Sequence, residues 1–201
     1  VAEKLIENQK ESVKNNALRK LLHNQGDAVK AVFYDLKELG VAFENDLFMI
    51  AEISIESGKN IDTNTAILIN EMIKHQILAK FENVCRFELI EDNIEELIII
   101  FNMKRHNTES EIISLLSELD DMIIMDYGVP AYIDVGGVHG RDKIYCSYYE
   151  IKECKEYRMY SGTGRVLQYS KLKNSRSNYF YNSEKENELI RYVVMGNAQS
   201  A

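Results

Sequence analysis

The stretch "LFMIAEISI" (residues 47–55) decides how the chain is read. Leu47, Met49, Ala51, Ile53 and Ile55 fall on one face of an extended segment, because side chains alternate across a strand. Upstream the apolar period is helical instead. "EKLIENQKESVKNNALRKLLH" (3–23) sets Leu5, Ile6, Val13, Ala17, Leu18, Leu21 and Leu22 in a stripe, and "DAVKAVFYDLKELG" (27–40) closes on Gly40, a good C′ residue. The first of these helices is thinly apolar at its start and needs a partner helix or the domain to pack on.

Downstream of residue 55 the elements alternate. A helix is expected over about 65–81, with Ile69, Ile73, Ile77 and Phe81 on one side. "VCRFELI" (84–90) and "EELIIIF" (95–101) read as a hairpin turning through "EDN" (91–93). "TESE" (108–111) is a capping box that opens a helix carrying Ile112, Leu115, Leu116, Leu119, Met122 and Ile123. "PAYIDVG" (130–136) is a strand with the chain's one proline at its start, 142–160 is helical, and "GRVLQY" (164–169) is a short final strand. A second capping box, "SEKE" (183–186), opens a tail helix with Leu189, Ile190, Val193 and Val194. The order β-α-β-β-α-β-α-β predicts an α+β domain: one partly antiparallel sheet with its main helices on a common face.

The totals exclude several classes. With 45% apolar and 28% charged residues, the 201-residue chain can bury a core and is not a disordered segment. Its longest apolar runs, such as "LIIIF" (97–101), are far short of the ~20 residues a membrane helix needs. A net charge of −8 argues against phosphate-backbone binding by these residues. Three cysteines without a CxxC pair suit a reducing cytoplasm, and no signal peptide is evident. The chain starts within a helical pattern without Met and ends at "GNAQSA", so a longer parent protein is expected.

Half of the ten glycines lie between residues 132 and 169, and "DVGGVHG" (134–140) has the look of a phosphate cradle. A phosphate loop, however, needs its glycines backed by a motif Lys or partner carboxylates, and none is spaced correctly here. His23, His75, His106 and His139 are too scattered for a metal motif. A Cys146–His139 nucleophile pair is a minor alternative, and a shelf built from Tyr145, Tyr148, Tyr149, Tyr157 and Tyr160 is another.

The layout from residue 47 resembles the core of the diguanylate cyclase (GGDEF) fold. "AYIDVGG" (131–137) stands at that fold's "TISIG" strand, and "YYEIKECKEYRMYSGTGRVLQY" (148–169) stands at its closing helix and strand. The whole chain looks more closely like the middle region of membrane-anchored AraC-type transcriptional regulators of Gram-positive bacteria. "ALRKLLHNQ" and "LKELGVAFENDLFMIAEISIE" resemble that family's entry helices and first strand. "DVGGVHGRDKIYCSYYEIKECKEYRMYSGTGRVLQYSKL" resembles its next stretch, with Ser147 and Tyr148 at the family's "SY". "YFYNSEKENELIRYVVMGNAQSA" resembles the bridge to its DNA-binding domain, with Asn182 where a Pro is usual.

The resemblance implies a degenerate GGDEF-like domain on a ferredoxin-like β-α-β-β-α-β core. It would span 27–172, after a linker helix at 1–26 and before a linker and helix at 173–201 that lead to helix-turn-helix motifs outside this chain. The expected function is non-catalytic relay of a signal, in a cytoplasmic domain of a membrane-anchored regulator. DNA would be bound through the downstream domain, the membrane reached through an upstream segment, and the full-length protein would self-associate. No catalytic, cofactor or metal residue is assigned. The hairpin lacks the motif, since no glycine occurs between Gly58 and Gly128, and Glu52 or Glu56 would stand in for the metal-binding Asp. Ile6, Val13 and Ala17 are the expected helix–helix contact, against packing on their own domain. A nucleotide-like ligand-binding module and an active cyclase are the rival readings.

Overall fold

The computed structural model of the chain describes residues 2–55, 62–93, 95–104, 108–161 and 166–178. In chain order the elements are α1 (Ala2–His23), α2 (Asp27–Glu38), β1 (Leu47–Ile55), α3 (Thr63–Phe81), β2 (Arg86–Asn93), β3 (Glu96–Met103), α4 (Thr108–Tyr127), β4 (Ala131–Val135), β5 (His139–Gly140), α5 (Ile144–Ser161), β6 (Val166–Gln168) and α6 (Tyr169–Asn178). The class is α+β. The strands share a sheet in the order β2-β3-β1-β4-β6. Neighbours from β2 to β4 are antiparallel, and β6 joins β4 in parallel after the α5 crossover.

Local chemistry explains the element ends. Asp62 caps α3 by accepting from the amides of Asn64 at 2.9 Å and Thr65 at 3.1 Å. Helix α2 ends in a Schellman turn: Gly40 donates to the Lys37 carbonyl at 3.0 Å and Val41 to the Leu36 carbonyl at 2.9 Å. Gly40 adopts φ 85°, where a Cβ would be strained. The hairpin turns later than the sequence suggests. Glu91 and Asn93 are still paired with β3, across a bulge, and Asn93 lies opposite Glu96. Asn93 closes the turn itself, accepting from the Glu95 amide at 2.8 Å and donating to Glu96 Oε2 at 2.7 Å.

The helices α3 and α4 share one face of the sheet as expected, but α1, α2 and α5 cover the other, so both faces are covered. Met49, Ala51, Ile53 and Ile55 of β1 pack with Ile69, Ile73, Ile77 and Phe81 of α3 and with Ile112, Leu116 and Leu119 of α4. The opposite residues Phe48 and Ile50, with Ile98 and Ile100 of β3, meet Leu18, Leu21 and Leu22 of α1, Val29, Val32 and Leu36 of α2, and Ile144, Tyr148 and Ile151 of α5. The central strands are apolar on both sides, so a one-sided helix layer would leave Phe48 and Ile50 in water. Each such side chain contributes about 1.5–3 kcal/mol when buried.

The chain divides into two compact units, Val1–Ser170 and Lys171–Ala201, and α1 belongs to the first with the sheet. The tail helix expected after "SEKE" lies outside the described residues. No helix among the described residues is long and apolar enough to cross a membrane.

Candidate functional site

The glycine stretch sits where the edge of β1 changes partner. Residues 51–55 of β1 pair with β4, whereas Leu47 and Phe48 pair with β5. Between them Gly136 continues the ladder by donating to the Ile50 carbonyl at 3.0 Å. The Ile50 amide has no strand opposite it and donates to Ser147 Oγ at 2.9 Å. This draws α5 so close that a Cβ on Gly136 would lie 2.2 Å from the Ser147 carbonyl oxygen. Only glycine fits there. The next amide, Gly137, donates to Glu150 Oε2 at 2.6 Å, and His139 Nε2 lies 3.0 Å from the same oxygen. A carboxylate of the chain itself thus fills the place an anion would take, and its charge opposes phosphate binding.

Beside Gly136 on the same face is a wedge of charge. Glu52 of β1 and Asp134 of β4 are direct cross-strand partners, exposed by only 3% and 1%. Helix α5 answers them with two cations one turn apart. Lys155 bonds Glu52 and also Glu96 of β3, the latter at 2.8 Å. Arg158 donates to Asp134 Oδ1 at 2.6 Å while its guanidinium lies over the Tyr132 ring, 4.8 Å from the centroid. Ser54 Oγ donates to Glu52 Oε1 at 3.3 Å.

Burial sets the protonation of this wedge. Loss of solvation pushes the Glu52 and Asp134 carboxyls above their ordinary range, and Lys155 and Arg158 pull back only part of the way. For Lys155 burial works the other way, but its bonds to Glu52 and Glu96 prevail and raise it. Glu96 is less enclosed; burial raises it, and Lys155 with Asn93 brings it below the usual value. Glu52, one of the two residues that could stand in for a metal-binding Asp, therefore already holds an ammonium. The other, Glu56, lies outside the described residues. Two further hairpin acids are similarly engaged, Glu88 with Arg86 at 2.7 Å and Lys14 at 3.5 Å, and Glu91 with Lys74. Among the described residues no three His, Cys, Asp or Glu are grouped to hold a metal ion.

The residues expected at a helix–helix contact separate. Val13 is 53% exposed, whereas Ala17 is 6% exposed and part of the core under α1. The Ile6 side chain lies outside the described residues. The tyrosines also divide: Tyr148 is buried edge-on to His23 with centroids 5.4 Å apart, and Tyr149 is exposed with Lys152 over its ring. His139 is engaged with Glu150 rather than poised on a cysteine. Lys155, Arg158 and Glu150 carry the polar geometry, and sequence reading assigned them nothing.

No protein-family model matches the chain, and no curated protein matches it significantly.

Proposed function

We propose that the chain is a non-catalytic relay domain of an AraC-type transcriptional regulator, built on a degenerate, GGDEF-like core. The observation that carries this reading is the core shared by α1 and α5. Leu18, Leu21 and Leu22 interlock with Ile144, Tyr148 and Ile151, and Lys14 and Arg19 tie α1 to the hairpin at Glu88 and the Glu91 carbonyl. Packed cores repack rather than stretch, so a shift of α1 is transmitted to α5. Helix α5 leads by chain connection to β6 and α6, toward the downstream DNA-binding domain that the resemblance implies. An upstream sensor would drive α1.

Two further observations support this reading. The strand order β2-β3-β1-β4, with its β-α-β-β-α-β connections, supports a ferredoxin-like core, on which the cyclase fold is built. Glu52, one of the two residues that could stand where a cyclase holds its metal, is paired with Lys155. Calorimetry of the chain with guanine nucleotides and Mg²⁺ tests the reading, with no heat of binding expected, and the chain alone should not retard DNA in a gel. Saturable binding without turnover would favour the ligand-binding alternative. Metal-dependent turnover lost in Glu52→Gln would overturn the non-catalytic assignment.

A further inference from the structure

Helix α3 buries Ile69, Ile73, Ile77 and Phe81 against the sheet, yet its outer face is not polar. Ile67, Leu68, Met72 and Leu78 there are between 43% and 63% exposed, and Ala79 beside them is exposed as well. A surface helix ordinarily carries charged or polar residues along that face. The only ionisable groups among the exposed residues from Ile67 to Ala79 are Glu71 and His75.

Their placement is symmetric about position 73. Leu68 and Leu78 lie five residues either side of it, Ile67 and Ala79 six, and Glu71 and His75 two. Leu68, Glu71, His75 and Leu78 follow the 3-4-3 spacing of a helix–helix seam. An antiparallel crossing of two copies about a two-fold axis at Ile73 therefore sets Leu68 level with the partner's Leu78 and the Glu71 carboxylate level with the partner's His75 imidazole. A two-fold contact requires such self-complementarity, in both size and charge.

We propose that the outer face of α3 is a homodimer interface, an antiparallel α3–α3 crossing of two copies of this chain. One helix crossing buries less than the roughly 1,200 Å² of a standard stable interface, so the dimer is weak and concentration-dependent. Glu71 also bridges Lys74 of its own helix at 2.5 Å, and Lys74 in turn bonds Glu91 of β2, so this carboxylate is shared between Lys74 and the proposed contact. The proposal does not depend on the relay reading, and it is distinct from a contact through α1.

Sedimentation velocity of the full chain from about 10 to 500 µM tests it, across the range expected of a small interface. The wild type is expected to pass from monomer to dimer. Leu68→Glu with Leu78→Glu should raise the dissociation constant at least about tenfold, with the far-ultraviolet circular dichroism unchanged because both positions are exposed. Glu71→Lys should weaken the dimer, and Glu71→Lys combined with His75→Glu should restore it, a rescue that only the antiparallel register provides. A wild type that stays monomeric throughout overturns the proposal, even if this face binds another protein. So does a dimer that survives the double leucine change or is lost instead in Val13→Glu.

Discussion

A methyl group at position 136 would meet the Ser147 carbonyl at 2.2 Å and its hydroxyl at 2.5 Å. Gly136→Ala must therefore push α5 off the sheet or break the Ile50–Ser147 bond, a loss of about 2–4 kcal/mol measurable by urea unfolding. Gly137→Ala meets only the end of the Glu150 side chain, at 3.0 Å, and should cost far less. The wedge gives a second, pH-dependent expectation. In Lys155→Met the buried Glu52 loses its cation, and stability should fall by about 2–3 kcal/mol near pH 7, at the low end for a broken buried pair because Lys155 is partly exposed. The folded pKa of Glu52 is raised, so the folded state binds a proton more tightly than the unfolded state. This group's contribution is most favourable below the ordinary carboxylate range and declines as pH rises through the window above it. The deficit of Lys155→Met should accordingly shrink toward about pH 5, and Glu52→Gln in the same chain should remove most of it. Single acids inside apolar strands, Glu52 in "LFMIAEISI" and Asp134 in "AYIDVGG", were a readable sign that cations must answer them. Which cations did so was not readable, because Lys155 lies 103 residues from Glu52 and only the folded sheet brings them together.

At the scale of elements, β1 was legible because a short apolar run ending in the alternating "AEISI" is too brief for a helix, and α3 and α4 were legible from their apolar spacing. The two-residue β5 was not, since so short a strand carries no period and exists only because the edge of β1 is free there. The polar "EDN" suggests a turn two to three residues too early, because Glu91 and Asn93 sit on an edge strand where polar side chains reach water. The second helical layer was missed for a similar reason. Alternation reports one buried face, and a strand buried on both faces hides the other. Helix α1 shows how this matters. Deleting residues up to 10 removes no described core residue, and the thermal midpoint should move by only a few degrees. Deleting through residue 26 removes Ala17, Leu18, Leu21 and Leu22 and uncovers Phe48 and Ile50, so the product should aggregate or unfold.

Across the whole molecule, α3 and α4 line one face of the sheet while α1, α2 and α5 line the other. The relay account needs only the second face to carry motion: α1 moves, α5 follows through a common core, and the first face stays fixed as the frame. Leu21→Ala, a cavity about 3 kcal/mol in depth at the α1–α5 contact, isolates that claim without touching a charged group. Backbone hydrogen exchange compared between the wild-type chain and Leu21→Ala measures it directly. The account predicts faster exchange in α1, α5 and β6 with α3 and α4 unchanged; faster exchange confined to α1, or spread evenly over both faces, would contradict it.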